Sequence, residues 1–354
     1  MSNIFSMTSA ELDPSVHGDP QSVAEIPVID LSGLLHGSFD DRLAVARQIG
    51  AACRNIGFFA VTNHDVPPQI VRRAFAQATA FFALAVEEKS QIAIERSTCH
   101  RGWFSVGGEN LDPAKQQYAG DFKEGIKIGQ DLPLNHSLVT AGVPLHGPNQ
   151  WPANPAEFVS TFREYYALMT SLARSLMRAF ALALEMPEDY FDEFLTRPMA
   201  TAGPLHYPPP AGPITDAQLG AGSHTDFGAL TILAQDATGG LQVRNAAGQW
   251  IDVPPAADAF VVNVGDMMAR WTNGLFASTV HRVINTSGRD RYSIPFFFDP
   301  NYDAPVAALP TCTSAANPPR FAPATGLEHL QEMINASFAY RTAPLGGPDL
   351  SASR

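Results

Sequence analysis

The chain has 354 residues, of which 45% are hydrophobic and 16% charged, a composition typical of a globular protein rather than a disordered one. Its formal net charge of -12 argues against nucleic acid and anionic membranes as partners, because both attract basic surfaces. The three cysteines, Cys53, Cys99 and Cys312, are too few and too scattered for a disulfide framework, and they favour a reducing cytoplasm.

Two short strands and two helices are predicted in the first part of the chain. Apolar runs that end in turn residues predict the strands, and apolar residues that recur every three or four positions predict the helices. In chain order these are a strand over 26–31, a helix over 40–55, a strand over 57–62 and a helix over 67–84. Residues 97–153 are rich in glycine, proline and polar residues, so they are predicted to form a long loop that contributes to function.

A long amphipathic segment over 154–195 predicts one or two helices that pack against a sheet. From about residue 200 the pattern changes to short strands separated by glycine-rich turns, which indicates a sandwich or a jelly roll. The predicted strands are 229–234, 239–243 in a hairpin with 249–253, 259–264, and 280–285 in a hairpin with 291–298. A final helix is predicted over 325–340. No signal peptide and no membrane-spanning stretch is predicted.

Two histidines and one aspartate carry the clearest chemical signal. His224 and Asp226 are two residues apart, and on a strand such residues point to the same face. A third ligand, His281, would then come from a neighbouring strand. Two imidazoles and one carboxylate bind Fe(II), Mn(II) or Co(II) on one side and leave the other side open for chemistry.

A candidate carboxylate-binding pair follows ten residues after the second histidine. Arg291 and Ser293 are again two residues apart and share a strand face. The guanidinium group presents a planar fork that fits a carboxylate, and the serine hydroxyl can donate a further hydrogen bond. The predicted hairpin would place His281 on one arm and this pair on the other, a few ångströms apart across one strand pair.

With these residues in order, the chain resembles the isopenicillin N synthase-like branch of the Fe(II)/2-oxoglutarate-dependent dioxygenases. The matching segments are 26–31, 55–64, 146–152, 206–209, 222–226 and 291–298. The resemblance implies a mixed α/β fold with a double-stranded β-helix (jelly-roll) core flanked by helices. It also implies that Fe(II), 2-oxoglutarate and O2 are used to hydroxylate, desaturate or cyclise a small-molecule metabolite, with succinate and CO2 as coproducts.

By the same resemblance, His224, Asp226 and His281 would bind the iron. Arg291 and Ser293 would hold the distal carboxylate of 2-oxoglutarate, and Tyr207 would add a phenol hydrogen bond. The resemblance divides the chain into a flexible lead-in (1–24), an N-terminal dioxygenase region (25–153), a helical scaffold (154–198), a catalytic jelly-roll core (199–302) and a C-terminal helix with a tail (303–354).

One departure from the family pattern and the ambiguity of the Arg-x-Ser pair keep other functions open. Plant-type members have an asparagine where this chain has Leu205. In isopenicillin N synthase itself, the Arg-x-Ser pair holds the substrate's carboxylate and no 2-oxoglutarate is used. That enzyme has a near-terminal glutamine that can bind iron, and the tail 344–350 offers none. The alternatives are therefore an oxidase independent of 2-oxoglutarate and a catalytically silent jelly-roll binding protein.

A third alternative is an ethylene-forming activity, since segments 146–148 and 234–241 also resemble the bacterial ethylene-forming enzyme. That enzyme has an arginine directly before its Phe-Pro-Pro segment. The corresponding residue is His206, which we expect to point outward, and this difference disfavours ethylene formation.

Candidate substrate contacts come from aromatic and basic residues near the predicted site. They are Arg101, Trp103, Phe104, Trp271 and Phe297. Core packing is the competing role for the four aromatic residues, and a surface salt bridge is the competing role for the arginine. The expected partner is a small-molecule substrate, and no obligate protein partner is evident.

Overall fold

A computed structural model describes residues 24–116, 120–210, 212–215 and 217–342, so nearly all of the predicted lead-in and the tail from residue 343 lie outside the described residues. The strands are β1 (Val28–Asp30), β2 (Phe58–Thr62), β3 (Gly102–Phe104), β4 (Glu124–Gly129), β5 (Thr201–Ala202), β6 (Leu205–Tyr207), β7 (Ala221–His224), β8 (Leu230–Gln235), β9 (Leu241–Arg244), β10 (Trp250–Asp252), β11 (Phe260–Val264), β12 (His281–Val283), β13 (Arg291–Phe298), β14 (Pro305–Val306) and β15 (Ala324–Thr325). The helices are α1 (Ser32–His36), α2 (Phe39–Asn55), α3 (Pro68–Phe82), α4 (Val86–Lys89), α5 (Ser137–Thr140), α6 (Phe158–Ala183), α7 (Asp266–Trp271), α8 (Gly326–Ser337) and α9 (Ala339–Thr342). In the described part of the chain, every helix is too short or too polar to span a bilayer.

The architecture is mixed α/β with large, mainly antiparallel sheets. A nine-stranded sheet has the order β1-β2-β11-β8-β13-β5-β4-β3, with β6 pairing both β13 and β4. A second sheet has the order β10-β9-β12-β7. Of the pairs in these two sheets, β1 with β2 is parallel and the others are antiparallel. The β9–β10 pair confirms the hairpin predicted around residues 245–248.

The core lies between the large sheet and three helices. Helix α6 packs against α2, α3, β8 and β13. Its predicted apolar stripe is buried, including Phe162, Tyr165, Met169, Leu176 and Phe180. Burying each such side chain contributes roughly 1.5–3 kcal/mol relative to leaving it in water. The stripe is therefore core packing, as the helical periodicity predicted.

Local sequence signals explain where the other helices begin. Helix α2 starts after Ser38, which forms a capping box with Asp41. Helix α8 starts after Thr325, which forms the same arrangement with Glu328. The predicted helix over 325–340 is interrupted at Phe338, whose extended backbone separates α8 from α9. This break turns the Phe338 ring into the protein, where it is 2% exposed.

The predicted loop over 97–153 was wrong in part. Strands β3 and β4 lie within it and pair with each other, and β4 also pairs β5 and β6. Strand β4 was not predicted because it contains charged residues, which are typical of exposed loops. Glu124 is buried with the Nζ of Lys89 2.8 Å from its carboxylate, so its charge is neutralised by a residue 35 positions away. The alternation of polar and apolar residues in so short a segment cannot show that a distant lysine pairs with Glu124.

The predicted hairpin of 280–285 with 291–298 was also wrong. Strand β12 pairs β7 and β9 in the four-stranded sheet, so both of its edges are occupied. Strand β13 instead pairs β5, β6 and β8 in the nine-stranded sheet. Residues 284–290 therefore pass from one sheet to the other. His281 and Arg291 therefore face the same cavity from two different sheets rather than lying across one strand pair.

Candidate metal and substrate site

Two side chains from neighbouring strands of the four-stranded sheet and one from the loop that follows β7 converge on one point. His224 ends β7 and His281 begins β12, and these two residues are direct partners in the antiparallel pair. Asp226 lies just beyond the end of β7. Its Oδ1 is 3.8 Å from Nε2 of His224 and 3.6 Å from Nε2 of His281. All three potential ligand atoms lie within 4.8 Å of one another.

The expectation that His224 and Asp226 share a strand face was wrong, because the strand ends at His224. The loop after the strand brings the carboxylate into position instead. Thr225, between them, donates from Oγ1 to Oδ2 of Asp266 at 3.0 Å, which directs its side chain to a different partner. The expectation that the third residue comes from a neighbouring strand is confirmed.

Hydrogen bonds leave the correct atoms free to bind a cation. Nδ1 of His224 lies 2.7 Å from the carbonyl of Gly222, and Nδ1 of His281 lies 3.1 Å from the carbonyl of Thr279. Each ring therefore donates from Nδ1 and presents the lone pair of Nε2 to the common point. Such second-sphere bonds orient metal-binding histidines in proteins.

The carboxylate is held in the same way. Oδ2 of Asp226 accepts from the hydroxyl of Thr231 and, at 2.7 Å, from Nδ2 of Asn263, which leaves Oδ1 facing the histidines. Burial raises the pKa of Asp226, but the two histidines and these hydrogen bonds outweigh it and hold the pKa below its usual value. The group is thus a carboxylate, and this donor set fits Fe(II) with open coordination positions.

Burial also lowers the pKa of His224 well below its usual value, and the nearby His281 lowers it further. A neutral imidazole is the form that binds a metal ion. The buried position of the ring therefore favours the metal-binding form at neutral pH.

Arg291 lies on the wall of the same cavity and is 1% exposed. Its Nε donates to the carbonyl of Gly239 at 2.5 Å, its Nη1 lies 3.4 Å from Oγ of Ser293, and its Nη2 donates to Oε1 of Gln235 at 3.2 Å. The guanidinium carbon lies 4.5 Å from the centre of the Tyr207 ring. Within residues 24–342, leaving out the few undescribed positions, no carboxylate forms an ion pair with Arg291. A buried cation of this kind calls for an anionic ligand.

A single cavity is lined both by the three candidate metal ligands and by Arg291. Strand β13 forms one wall, since Arg291, Ser293, Pro295 and Phe297 all face the cavity at every second position. The cavity encloses about 160 Å³, which suits a small molecule. Helix α8 and the residue that follows it close another side with Leu330, Ile334 and Phe338.

The five predicted substrate contacts separate into two groups. Arg101 and Phe297 line the cavity. Trp103 is buried elsewhere and donates to Glu124, and Trp271 is buried with its indole donating to the carbonyl of Pro305. Phe104 packs behind the lining, edge-on to Phe338. The competing core role is therefore the correct one for Trp103 and Trp271.

A buried group of charged residues was missed by the sequence reasoning. Glu109, Lys123 and Lys127 all line the cavity. Nζ of Lys123 lies 2.9 Å from the carboxylate of Glu109 and also contacts Asp121, and Nζ of Lys127 lies 3.3 Å from Glu109. The available signal was the spacing of the two lysines, four residues apart, because two residues so spaced share one face wherever a segment is extended. His206, by contrast, points away from the cavity to Glu124 and Asp290, as predicted.

Two family models match the chain. One, described as the non-haem dioxygenase in morphine synthesis N-terminal family, matches residues 26–154, and the 2OG-Fe(II) oxygenase superfamily matches residues 203–300. A 2-oxoglutarate-Fe(II) type oxidoreductase, hxnY of Emericella nidulans, is 37% identical over 88% of this chain and 89% of its own length. Clavatol oxidase claD of Penicillium crustosum is 36% identical over 89% of this chain and 97% of its own length.

Solved structures show the same similarity. A full-length Neurospora crassa protein, solved in complex with alpha-KG and thymine, superimposes with a TM-score of 0.78 at 32% identity. The match covers 88% of this chain and 97% of that protein.

Proposed function

Since the chain belongs to the 2OG-Fe(II) oxygenase superfamily, we propose specific roles for its residues in the reaction of that family. The protein is a 2-oxoglutarate-dependent Fe(II) dioxygenase that acts on a small molecule. The bound iron, with 2-oxoglutarate and O2, supplies the oxidising power, and 2-oxoglutarate is converted to succinate and CO2. Which outcome follows, hydroxylation, desaturation or ring closure, depends on the substrate.

We propose that His224, Asp226 and His281 bind Fe(II). The support is the direction of their ligand atoms, since both Nδ1 atoms and Oδ2 of the carboxylate already have partners. Nε2 of each histidine and Oδ1 of the aspartate remain for the metal. A cation between these atoms would also balance the charge of the buried carboxylate.

The observation that carries the proposal for 2-oxoglutarate is the buried Arg291, which has no carboxylate partner among the described residues. We propose that its Nη atoms, with the hydroxyl of Ser293, bind the distal carboxylate. Tyr207 lies against the guanidinium and would donate its phenol hydrogen to the same carboxylate. Leu205, the departure from the plant-type pattern, lines the cavity beside them and contributes an apolar wall.

The alternative oxidase would use Arg291 and Ser293 for the carboxylate of its substrate. The relatives favour the cosubstrate role, because hxnY is named as a 2-oxoglutarate enzyme and the Neurospora crassa protein was solved with alpha-KG.

We further propose that strands β5 to β13 of the two main sheets form a jelly-roll core within 199–302, and that 25–153 and 154–198 support it with flanking strands and helices. The support is that the two histidines come from the four-stranded sheet, whereas Arg291 and Ser293 come from the nine-stranded sheet, and all four face one cavity. The three buried, unbridged cysteines support a reducing, cytoplasmic location. The enclosed cavity and the negative net charge support a reaction on a small molecule without nucleic acid, membrane or an obligate protein partner.

An anaerobic titration tests the residue roles. Fe(II) and then 2-oxoglutarate are added to the metal-free protein, and the weak visible charge-transfer band of the complex is recorded. We expect no iron binding in His224→Ala. In Arg291→Ala, we expect iron binding to persist and the dissociation constant for 2-oxoglutarate to rise at least about 30-fold, as is typical when one partner of a buried charge pair is truncated.

Arg289→Ala is the matched control, because Arg289 is exposed two residues before the proposed clamp. This variant should titrate like the wild type. A wild-type protein that binds iron but gives no band would support the oxidase, with Arg291 as a substrate contact. Iron binding that survives in His224→Ala would contradict the proposed ligand set.

A further inference from the structure

The cavity extends away from the iron ligands along a row of paired residues. Thr231 on β8, which bonds the Asp226 carboxylate, is paired with Phe297 on β13. Phe297 is paired with Thr201 on β5, and Thr201 with Gly129 on β4. Adjacent strands are about 4.8 Å apart, so this row spans about 14 Å. One end lies at the metal-binding carboxylate and the other lies at β4.

Arg101 occupies the far end of this row. A Cβ atom on Gly129 would lie 2.1 Å from Nη2 and 2.2 Å from Cζ of Arg101, so the guanidinium lies flat against the glycine. Nη1 donates to the carbonyls of Cys99 and His100, and Nη2 donates to that of Leu145. The residue is 6% exposed, and its Nε is buried without a hydrogen-bond partner.

The charge of Arg101 is not balanced nearby. No carboxylate in the described ranges forms an ion pair with it. Asp299, a further carboxyl on the cavity wall, accepts the backbone N–H of Ala229 instead. The adjacent lysines are balanced, because Lys123 and Lys127 share Glu109 and Lys123 also contacts Asp121. This end of the cavity therefore has an excess of one positive charge.

Aromatic rings surround the second cation of this region. Nζ of Lys127 lies 5.5 Å from the ring centre of Phe104, 5.3 Å from that of Phe297 and 5.8 Å from that of Phe338. Lys127 makes one contact with Glu109, at 3.3 Å, which leaves further N–H groups of its ammonium. The two cations are thus set among apolar surfaces suited to a carbon skeleton.

We propose that the primary substrate is a small monocarboxylate whose carboxylate binds Nε of Arg101 and the ammonium of Lys127, with its carbon skeleton against Phe297. The proposal rests on the function proposed above, because it places the oxidised carbon at the metal end of the row. A carboxylate satisfies the buried Nε–H and balances the excess charge. A neutral substrate could at most accept the hydrogen bond and would leave the charge without a partner.

The competing role for Arg101 is structural, since it also holds three backbone carbonyls. A purely structural arginine would not make binding depend on the charge of the ligand. The two roles are separated by comparing each carboxylate with its primary amide, which has a similar shape and no charge.

The experiment is anaerobic calorimetry on the protein loaded with Fe(II) and saturating 2-oxoglutarate, which keeps probes away from Arg291. The probes are propanoate, 3-phenylpropanoate and 4-methylbenzoate, each paired with its primary amide. We expect at least one carboxylate to bind about 10-fold or more tightly than its amide, as a charge-assisted hydrogen bond would give. In Arg101→Gln and in Lys127→Met, that preference should fall at least several-fold.

Lys127→Met keeps the apolar volume among the rings, and Glu109 retains Lys123 as a partner. Lys127→Met therefore still tests the proposal if Arg101→Gln fails to fold. Arg96→Gln is the matched control, because Arg96 is exposed five residues before Arg101 and should leave the preference unchanged.

Three results would overturn the proposal: no carboxylate binding at millimolar concentration, equal binding of acids and amides, or an undiminished preference in Lys127→Met. Failure of the proposed function gives a different result. In that case the 2-oxoglutarate band is absent, and a carboxylate preference that falls in Lys127→Met but not in Arg291→Ala still assigns the binding to the Arg101 end of the cavity.

Discussion

Replacing Thr231 with valine removes one of the two hydrogen bonds that orient the proposed iron-binding carboxylate. Thr231 is buried on β8, and its hydroxyl donates to Oδ2 of Asp226. Valine has nearly the same shape and suits a strand at least as well. The change therefore removes a hydrogen-bond donor next to the metal site and leaves the surrounding packing almost intact.

The expected loss of iron affinity depends on the hydrogen bonds that the Asp226 carboxylate retains. A hydrogen bond to a charged group contributes about 1.5–3 kcal/mol, but this one is present with and without metal, so only part of it affects metal affinity. Asn263 still donates to the same oxygen at 2.7 Å. Loss of a second-sphere partner typically weakens metal binding 10–100-fold. We expect the lower end, about 10-fold for Thr231→Val, and a larger loss when Asn263→Leu is added.

The pH dependence gives a second readout. The hydrogen bonds from Thr231 and Asn263 help to hold the pKa of Asp226 below its usual value. Their removal raises that pKa, so protonation should begin to compete with iron at a higher pH than in the wild type. Iron binding in Thr231→Val should consequently decline at higher pH as the solution is acidified.

The assay is an anaerobic Fe(II) titration at several pH values, with Thr161→Val as control. Thr161 is equally buried but lies on α6, in the core. The control should bind iron like the wild type. Unchanged iron affinity in a folded Thr231→Val protein would refute the orienting role of the hydroxyl, and equal weakening in both variants would point to general destabilisation.

Two further predictions address the far end of the cavity and the sheet behind it. Gly129→Ala places a Cβ about 2 Å from the guanidinium of Arg101, so the guanidinium must move, and carboxylate probes should bind several-fold more weakly in calorimetry while 2-oxoglutarate binds normally. His206 lies between Glu124 and Asp290, 2.8 Å from each; burial lowers its pKa, but the two carboxylates outweigh burial and raise it above 6.5. Its contribution to stability is complete below pH 6.5 and is lost as the pH rises through the raised value, so thermal unfolding of wild type and His206→Phe should differ most at low pH.

Each of these predictions has an opposing result. Wild-type carboxylate affinity in Gly129→Ala would mean that the guanidinium position is not important for binding. A stability difference between wild type and His206→Phe that stays constant from pH 5 to 9 would mean that the imidazole acts by packing on Tyr292, with which it stacks at 4.9 Å, rather than by charge.

The candidate metal ligands could be predicted because short local segments of the sequence show their residue types and order. His224, Asp226 and His281 are recognisable by residue type and order, and the structure brings them together. The reason offered for the first two was incomplete, since β7 ends at His224. A strand end cannot be located to one residue from alternation, because hydrogen-bond pairing with a distant strand decides where it lies.

The buried charges near β4 could not be predicted in the same way. Lys123 and Lys127 lie in the segment 97–153, which was predicted to be a loop, and no role was predicted for them. Burial lowers the pKa of Lys123, but the carboxylates of Asp121 and Glu109 outweigh burial and raise it. In the sequence, Glu109 is 14 residues from Lys123 and Asp121 is two residues from it. Charged residues are predicted as exposed by default, and only tertiary contacts show that a pair is buried.

The hairpin of β12 with β13 was wrongly predicted for the same reason, since distant strands decide where each of them pairs. Their separation into two sheets has a consequence for stability. Because β12 and β13 lie in different sheets, the histidines come from the four-stranded sheet, whereas Thr231 and Asn263 anchor Asp226 to the nine-stranded sheet. An iron ion bound to all three ligands would therefore connect the two sheets. A ligand that binds only the folded state stabilises it by an amount that grows with its concentration over its dissociation constant. Iron should thus raise the unfolding temperature of the wild type, and Thr231→Val should reduce that shift at a fixed iron concentration. An unchanged shift would mean that the connection between the sheets does not pass through this carboxylate.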